Sequence, residues 1–391
     1  MGLEGLSGKF EALKTPFYFY DLSLLEATLK KVSRIAGEND FHVHYALKAN
    51  SNERILELVR NFGFGADCVS GNEVRHAVSS KFEPTRIVFA GVGKSDDEIN
   101  YALSKDIFCF NCESAQEIEV LNDLAKTQNR KARIALRINP NVNANTHRYI
   151  TTGLEENKFG INLWELDAVT EQVKRSANIE LVGIHFHIGS QVNSLDPFRT
   201  LCMKVNEIQE WFVSHRIKLT EINVGGGLGV DYHDPDNETF PDFSAFFALF
   251  RDFIELRPGQ RLHFELGRAL VAQCGSLISR ALYIKKGVNT NFVILDAGMT
   301  ELIRPALYQS YHQIENLTAP GRKNSAEVRY DVVGPICESS DCFIKSYMLP
   351  ESFRNDIFAI RSTGAYGEVM ASSYNLRDKA KAVYSDELLN N

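Results

Sequence analysis

The 391-residue sequence predicts an α/β chain: a (β/α)8 TIM-type barrel plus a C-terminal, mostly β domain. Three observations predict it. Eight short apolar strand candidates between residues 41 and 266 alternate with helical stretches. Inside those strands the polar residues recur with period two, as a wall with a packed outer face and a lined inner face requires. Past residue 270 the alternation stops, and strand patterns follow one another with turns between.

The strand candidates are "FHVHYALK", "GFGADCV", "RIVFAG", "DIFCFN", "ARIALRIN", "LVGIHFHIG", "TEINVGGG" and "RLHFEL". Six of the seven intervals carry clear helical periodicity. In "NERILELVRNF" the apolar face is Ile55, Leu56, Leu58, Val59 and Phe62, and "SDDEINYALS" opens with acidic residues in its first turn. Eight strands in this alternation favour a closed barrel over a doubly wound open sheet, which usually uses fewer. The barrel is expected over residues 21–265 and the β domain over 266–391. In the latter "GSLISRALYIKKG", "NFVILDAG", "EVRYDVVGPI", "DCFIKSYML" and "DIFAIRSTGAY" read as strands, and "MTELIRPALYQSYHQ" as its one helix. The strand-like "TPFYFYD" near the N-terminus, whose strand falls in residues 1–20, is expected to join that domain.

Composition narrows the function. A chain this long with 44% hydrophobic residues can build a large core, and it suggests two domains. The net charge of −7 is spread over mixed signs, with no basic stripe for nucleic acid and no apolar run fit to span a bilayer. The N-terminus lacks the apolar core of a signal peptide, and Leu6 stands where a myristoylation signal wants Ser or Thr. Seven scattered cysteines read as reduced thiols of a cytoplasmic protein. Cys109 and Cys112 form one CxxC with no second pair at zinc spacing, so no metal site is expected.

Period two says what lines the barrel. Phe41, Val43, Tyr45 and Leu47 face the helices, while His42, His44, Ala46 and Lys48 face inward, with Lys48 at the strand's C-terminal tip. His185 and His187 face inward at the end of the sixth strand, and Arg261, His263 and Glu265 in the eighth. Closure makes the eighth strand a neighbour of the first, so Lys48, His187 and Glu265 converge at the mouth where barrel active sites lie, beside "GGGLG" at 225–229. A partly desolvated lysine amine reacts with carbonyls, either of a substrate or of pyridoxal 5′-phosphate. Three glycines after the seventh strand, the usual phosphate position of this fold, favour the cofactor. A carboxylate at Glu265 would keep a pyridine nitrogen protonated. Each residue also has a plain reading: a tight turn for the glycines, a core carboxylate satisfied by Arg261 or His263 for Glu265, and a satisfied core imidazole for His187.

The motifs "HYALKAN", "HFHIGSQV", "NVGGGLG", "ELGRALV", "RPALY", "CESSD" and "TGAYGEVMASSYN" lie in order from about residue 15 to the C-terminus. Together they resemble the diaminopimelate decarboxylase family, among the fold type III, alanine-racemase-like pyridoxal-phosphate decarboxylases that include ornithine and arginine decarboxylases. The resemblance implies decarboxylation of meso-2,6-diaminopimelate to L-lysine and CO2, the last step of lysine biosynthesis. It implies that Lys48 carries the cofactor, that His187 stacks on its ring, and that Glu265 pairs with the ring nitrogen. Ser190, Gly225, Gly226, Gly227, Gly267 and Arg268 would surround the phosphate, and Tyr366 would touch cofactor and substrate. It further implies a homodimer in which Cys337, the proton donor to the α-carbon, and Glu338 come from the second chain.

Arg304 and Tyr308 sit one turn apart on the expected helix and so can reach one group. With Arg268 they would take the substrate's distal carboxylate, and Glu338 its distal ammonium. The plain readings are a solvent salt bridge for Arg304 and one more buried thiol for Cys337. The alternatives are a decarboxylase of ornithine, arginine or carboxynorspermidine, or a non-catalytic homologue that binds the cofactor. One departure stands out: "ELGR" has Leu266 where the family usually has proline, which frees a φ angle in that loop.

Overall fold

The computed structural model describes residues 2–142, 158–237, 239–322 and 326–389. The chain divides into two units, one comprising Thr28–Gly229 and Asp242–Gly267, the other Met1–Ala27, Val230–Pro241 and Arg268–Asn391. The first strand in the chain, β1 (Phe17–Tyr20), belongs to the second of these.

The first unit is a closed parallel barrel of β2 (Phe41–Ala46), β3 (Gly65–Cys68), β4 (Ile87–Phe89), β5 (Cys109–Cys112), β6 (Ala132–Arg137), β7 (Ile179–His185), β8 (Glu221–Asn223) and β9 (Arg261–Leu266). All eight expected strands are present. β2 and β9 close the ring in parallel register, His44 opposite Glu265 and Tyr45 opposite Leu266. Leu266, the residue that departs from the family pattern, therefore continues the strand.

Each of the seven intervals between strands holds a helix, including the one that periodicity left in doubt. Their starts follow from capping. Asn52 caps Glu53–Asn61 by accepting the Arg54 N–H, and Ser95 with Glu98 closes a full capping box on Asp96–Ser104. The outward strand face packs as the alternation requires: the Phe264 ring lies 4.9 Å from Phe247 and 5.1 Å from Phe250, both on the helix Phe243–Phe253. Near-perpendicular pairs of this kind add about 0.5–1.5 kcal/mol each beyond their burial.

In the second unit, β1 pairs antiparallel with β10 (Gly275–Lys286). The main path then runs through β11 (Asn291–Leu295), β12 (Ile314–Asn316), β13 (Glu327–Val333), β14 (Cys342–Pro350) and β15 (Ile357–Ile360) in the spatial order β12-β15-β10-β11-β13-β14. β16 (Lys381–Tyr384) lies parallel to β1. Phe10 seals the N-terminal segment onto this sheet, edge-on to Phe17 at 5.6 Å and to Phe19 at 5.2 Å.

Two expectations for this unit need correction. The helix anticipated across residues 299–313 is only Arg304–Tyr308. Pro305 sits in its first turn, where a missing N–H costs nothing, and Gln309 ends it in the left-handed region at φ 54°. Residues 314–316, just past the anticipated helix, form β12, and β16 was also missed. Strands of three and four residues are too short to show a period.

Candidate active site

At the barrel mouth, β2 stops at Ala46, so Lys48 is not a strand-tip residue as expected. It lies just beyond, in the 3-10 turn Leu47–Ala49, whose flanking Leu47 and Ala49 are buried. Gly267 packs against this turn; a Cβ there would meet Ala49 Cβ at 3.0 Å. Lys48 Nζ donates to Asp67 Oδ2 at 3.0 Å. Burial, then the nearby Glu265 charge, raise the Asp67 carboxyl above its ordinary value against the pull of Lys48. Asp67 Oδ1 is buried with no hydrogen-bond partner among the described residues.

Glu265 is held differently. Its Oε1 accepts from Asn111 Nδ2 at 3.0 Å and Asn223 Nδ2 at 2.8 Å, and its Oε2 meets His185 Nε2 at 2.9 Å. The alternative partners weighed for it, Arg261 and His263, instead serve Glu221. Burial alone would raise the Glu265 carboxyl, but His185 and then Lys48 outweigh it and hold it well below the usual carboxylate range. A carboxylate has about four acceptor positions, and three are used, leaving one on Oε2.

His187 lies past the end of β7, half-buried, and its Nδ1 faces the Gly226 N–H at 3.4 Å. Burial and the charges of Arg137 and Lys48 keep its imidazole neutral. Gly225 and Gly227 have φ of 69° and 110°, and a side chain at Gly225, Gly226 or Gly227 would collide with the carbonyl oxygens of Phe186, Glu265 and Gly189. The Gly225 N–H is spent on Asn223 Oδ1 at 2.9 Å. Among the described residues Gly227 alone of the three has an N–H with no hydrogen bond. The loop carrying Ser190 is tied to this one by Val192 N–H to Gly227 O at 2.9 Å.

These residues fit pyridoxal phosphate. An amine stands beside a carboxylate able to take its proton, a fixed anionic carboxylate has one acceptor position open, and a glycine turn without side chains adjoins them. No group of His, Cys, Asp and Glu among the described residues could hold a metal ion.

The second unit carries the remaining expected residues. Arg268 and Arg304 are buried, at 7% and 5% exposure. Arg268 Nη1 donates to the Tyr232 hydroxyl at 2.6 Å, and its guanidinium lies 4.8 Å from the centre of the Tyr366 ring. Arg304 Nη1 donates to the same hydroxyl at 2.9 Å and to His312 Nε2 at 3.1 Å. Arg304 has no carboxylate partner among the described residues, which excludes the solvent salt bridge. Burial and the like charge of Arg268 lower it from its ordinary value, against the Tyr232 phenol. Tyr308, on the same short helix, adds to the electrostatic surroundings of Arg268. Tyr366 is held at φ 58°, strained for a bulky side chain.

Cys337 is the exposed one of seven free cysteines, and Glu338, also exposed, accepts from Tyr374 OH at 2.8 Å. Asp341, the last residue of "CESSD", fixes their turn by accepting the Ile336 and Met299 N–H groups, each at 2.6 Å. Cys109 and Cys112 lie buried on β5, and burial pushes both thiols up.

Sequence reasoning missed Asp67, Asn111, Asn223, Tyr232 and His312. The first three are polar residues on short barrel strands, where no spacing sets them apart from any other buried polar residue. Tyr232 follows the glycine turn in a loop and carries no pattern.

A family model described as "Pyridoxal-dependent decarboxylase, pyridoxal binding domain" matches residues 23–272. A diaminopimelate decarboxylase of Bacteroides thetaiotaomicron is 53% identical over 382 residues, covering 97% of this chain and 98% of that protein. One of Helicobacter pylori is 43% identical over 371 residues, covering 95% and 90%. Among solved structures, the Helicobacter pylori diaminopimelate decarboxylase complexed with L-lysine superposes with a TM-score of 0.90 at 40% identity, covering 97% of this chain and 94% of that one.

Proposed function

The chain belongs to the pyridoxal-dependent decarboxylase family, and on that premise we propose that it decarboxylates meso-2,6-diaminopimelate to L-lysine and CO2, the last step of lysine biosynthesis. When bound, pyridoxal phosphate supplies the electron sink for the charge left by departing CO2. Lys48 would hold its aldehyde carbon, and Asp67, whose raised proton affinity suits the task, would take the proton from Nζ. The open acceptor position of Glu265 would keep a proton on the ring nitrogen, and the neutral His187 imidazole would border the ring. Ser190, the turn at Gly225–Gly227, Gly267 and Arg268 would hold the phosphate, to which Gly227 could offer its N–H. Tyr366 would border cofactor and substrate.

Arg304 carries the substrate assignment. A buried guanidinium without a protein carboxylate is costly unless an anion completes it. Diaminopimelate brings a second carboxylate at the end that does not react; ornithine, arginine and carboxynorspermidine do not. Arg268 and Tyr308 assist, and Glu338 receives the distal ammonium. The exposed Cys337 and Glu338 support a homodimer in which they complete the partner's site, with the Cys337 thiol returning a proton to the α-carbon. Free thiols support a cytoplasmic setting.

CO2 release measured with meso-diaminopimelate and L-ornithine side by side tests this. Diaminopimelate should be strongly preferred, and Arg304→Ala should cost about 2–5 kcal/mol of the transition-state stabilisation that kcat/KM reports. A wild-type preference for ornithine, or unchanged diaminopimelate kinetics in Arg304→Ala, would refute the assignment.

A further inference from the structure

No motif marks Tyr232, yet its phenol stands at the centre of the buried cationic cluster. The side chain is 7% exposed, and its oxygen accepts Nη1 of Arg268 at 2.6 Å and Nη1 of Arg304 at 2.9 Å. Two like charges thus converge on one neutral oxygen. Burial alone would raise the phenol's pKa, but the two guanidiniums outweigh it and bring it below its ordinary value, as close contact with both requires.

His312 holds Arg304 from the other side. Its Nδ1 meets the Arg361 carbonyl at 2.8 Å, which accepts and so fixes the proton on Nδ1. Nε2 is then an acceptor, and burial keeps the ring neutral, its pKa brought down to about 3. The imidazole stands edge-on to the Tyr232 ring at 5.0 Å and 76°. Both hydrogens of Arg304 Nη1 are therefore committed, one to Tyr232 and one to His312. Nε and Nη2 of Arg304 make no hydrogen bond among the described residues, and in a planar guanidinium they form one bidentate edge. Pinning Nη1 on two sides aims that edge before any ligand arrives, so little freedom is lost on binding.

We propose that Tyr232 is a positioning residue that sets specificity: it holds the Arg268 and Arg304 guanidiniums in place and presents the Nε–Nη2 edge of Arg304 to the substrate's non-reacting carboxylate. This rests on the diaminopimelate reading above and adds to it a residue that acts through Arg304.

Simple chemistry supplies the probes. Loss of one carboxylate from meso-diaminopimelate leaves L-lysine, which retains the other; loss of both leaves 1,5-diaminopentane. The two amines differ only in the group this cluster receives. Calorimetric titration of the full-length, cofactor-loaded protein should show wild type preferring L-lysine. Tyr232→Phe should weaken L-lysine about tenfold, the worth of one hydrogen bond to a charged group. Its affinity for 1,5-diaminopentane should stay within about twofold, and KM for diaminopimelate should rise more than kcat falls. In an Arg304→Ala background, Tyr232→Phe should cost clearly less than it does alone, keeping only what it contributes through Arg268.

Equal weakening of both amines, unchanged L-lysine affinity, or an additive double variant would overturn the proposal. If Tyr232→Phe does not fold, the other side of Nη1 carries the test: His312→Gln, which keeps an acceptor, should retain L-lysine affinity that His312→Leu loses, and equal behaviour of the two would overturn it. Wild type that neither decarboxylates diaminopimelate nor prefers L-lysine refutes the substrate reading itself. Wild type that does both, with an unaffected Tyr232→Phe, refutes only the role of Tyr232.

Discussion

Two glutamates inside one barrel invite comparison. Glu221 opens β8 near the barrel floor, and Glu265 stands near the end of β9 at the mouth. Both are buried, at 3% and 7% exposure, and both carboxyls lie below their ordinary range. Their partners differ in kind. Glu221 accepts from Arg261 Nε at 3.0 Å, from Arg261 Nη2, from His263 Nε2 at 2.8 Å and from the Thr220 hydroxyl at 3.2 Å. A permanent cation cancels its charge. Glu265 has two neutral amides on Oε1 and an imidazole on Oε2. Amides fix a carboxylate's orientation without neutralising it. Burial and a lowered pKa therefore do not tell the two carboxylates apart; the nature of their partners does.

The largest expected effect falls on the mouth. Lys48→Ala should lower turnover roughly ten-thousandfold or more, because no other described amine is placed beside Asp67. The visible absorbance of protein-bound pyridoxal phosphate should vanish with it, while the melting temperature stays near wild type. Retained absorbance and turnover would remove the mouth from the mechanism.

Next in size is the direct exchange between the two ends. Glu265→Gln, nearly isosteric, should cost about a hundredfold to a thousandfold in kcat, since it removes charge aimed at the reacting system. Glu221→Gln should leave kcat within about twofold. If both variants lose activity alike, the distinction drawn from their partners fails.

The barrel was legible because its strands are apolar, short and separated by helices, so that counting alone closed it. Lys48, His187 and Glu265 were legible because period two places them on the inner face, although Lys48 proved to sit in a turn just past the strand. What supports them was not. Asn111 and Asn223 occupy barrel strands, yet a single amide there has no spacing to distinguish it from any buried polar residue. Tyr232 and His312 belong to a tertiary cluster assembled from separate loops, and nothing local encodes it. In the second unit, helical spacing overreached across 299–313 because apolar residues of a short helix and the strand after it mimic one continuous period.

A fourfold effect tests whether the site is completed by a second copy. Co-expression of Lys48→Ala and Cys337→Ala chains should restore roughly a quarter of wild-type activity, since random pairing makes half the dimers mixed and each mixed dimer has one intact site. Each variant alone should be inactive. If Lys48 and Cys337 served the same chain's site, every site would carry a defect and mixing would restore nothing.

The smallest effect on activity should be the clearest on stability. Burial pushes the Glu221 carboxyl up, but His263 and Arg261 outweigh it and bring it from 4.5 down to about 2. A carboxyl whose folded-state pKa is depressed contributes stability that is complete above its unfolded value and is lost as pH falls toward the folded one. Here that window runs from 4.5 down to about 2, with a total on the order of 3 kcal/mol. Glu221→Gln leaves Arg261 and His263 short of their anion, so near neutral pH it should be less stable by about 1–3 kcal/mol. As pH drops through the window, wild type should lose this contribution and the variant should not. The gap between them, read from urea unfolding at a series of pH values, should therefore narrow steadily below about pH 4.5. A gap that stays constant to about pH 3 would mean that the floor carboxylate does not carry the charge its partners imply, and that floor and mouth differ less than their hydrogen bonds suggest.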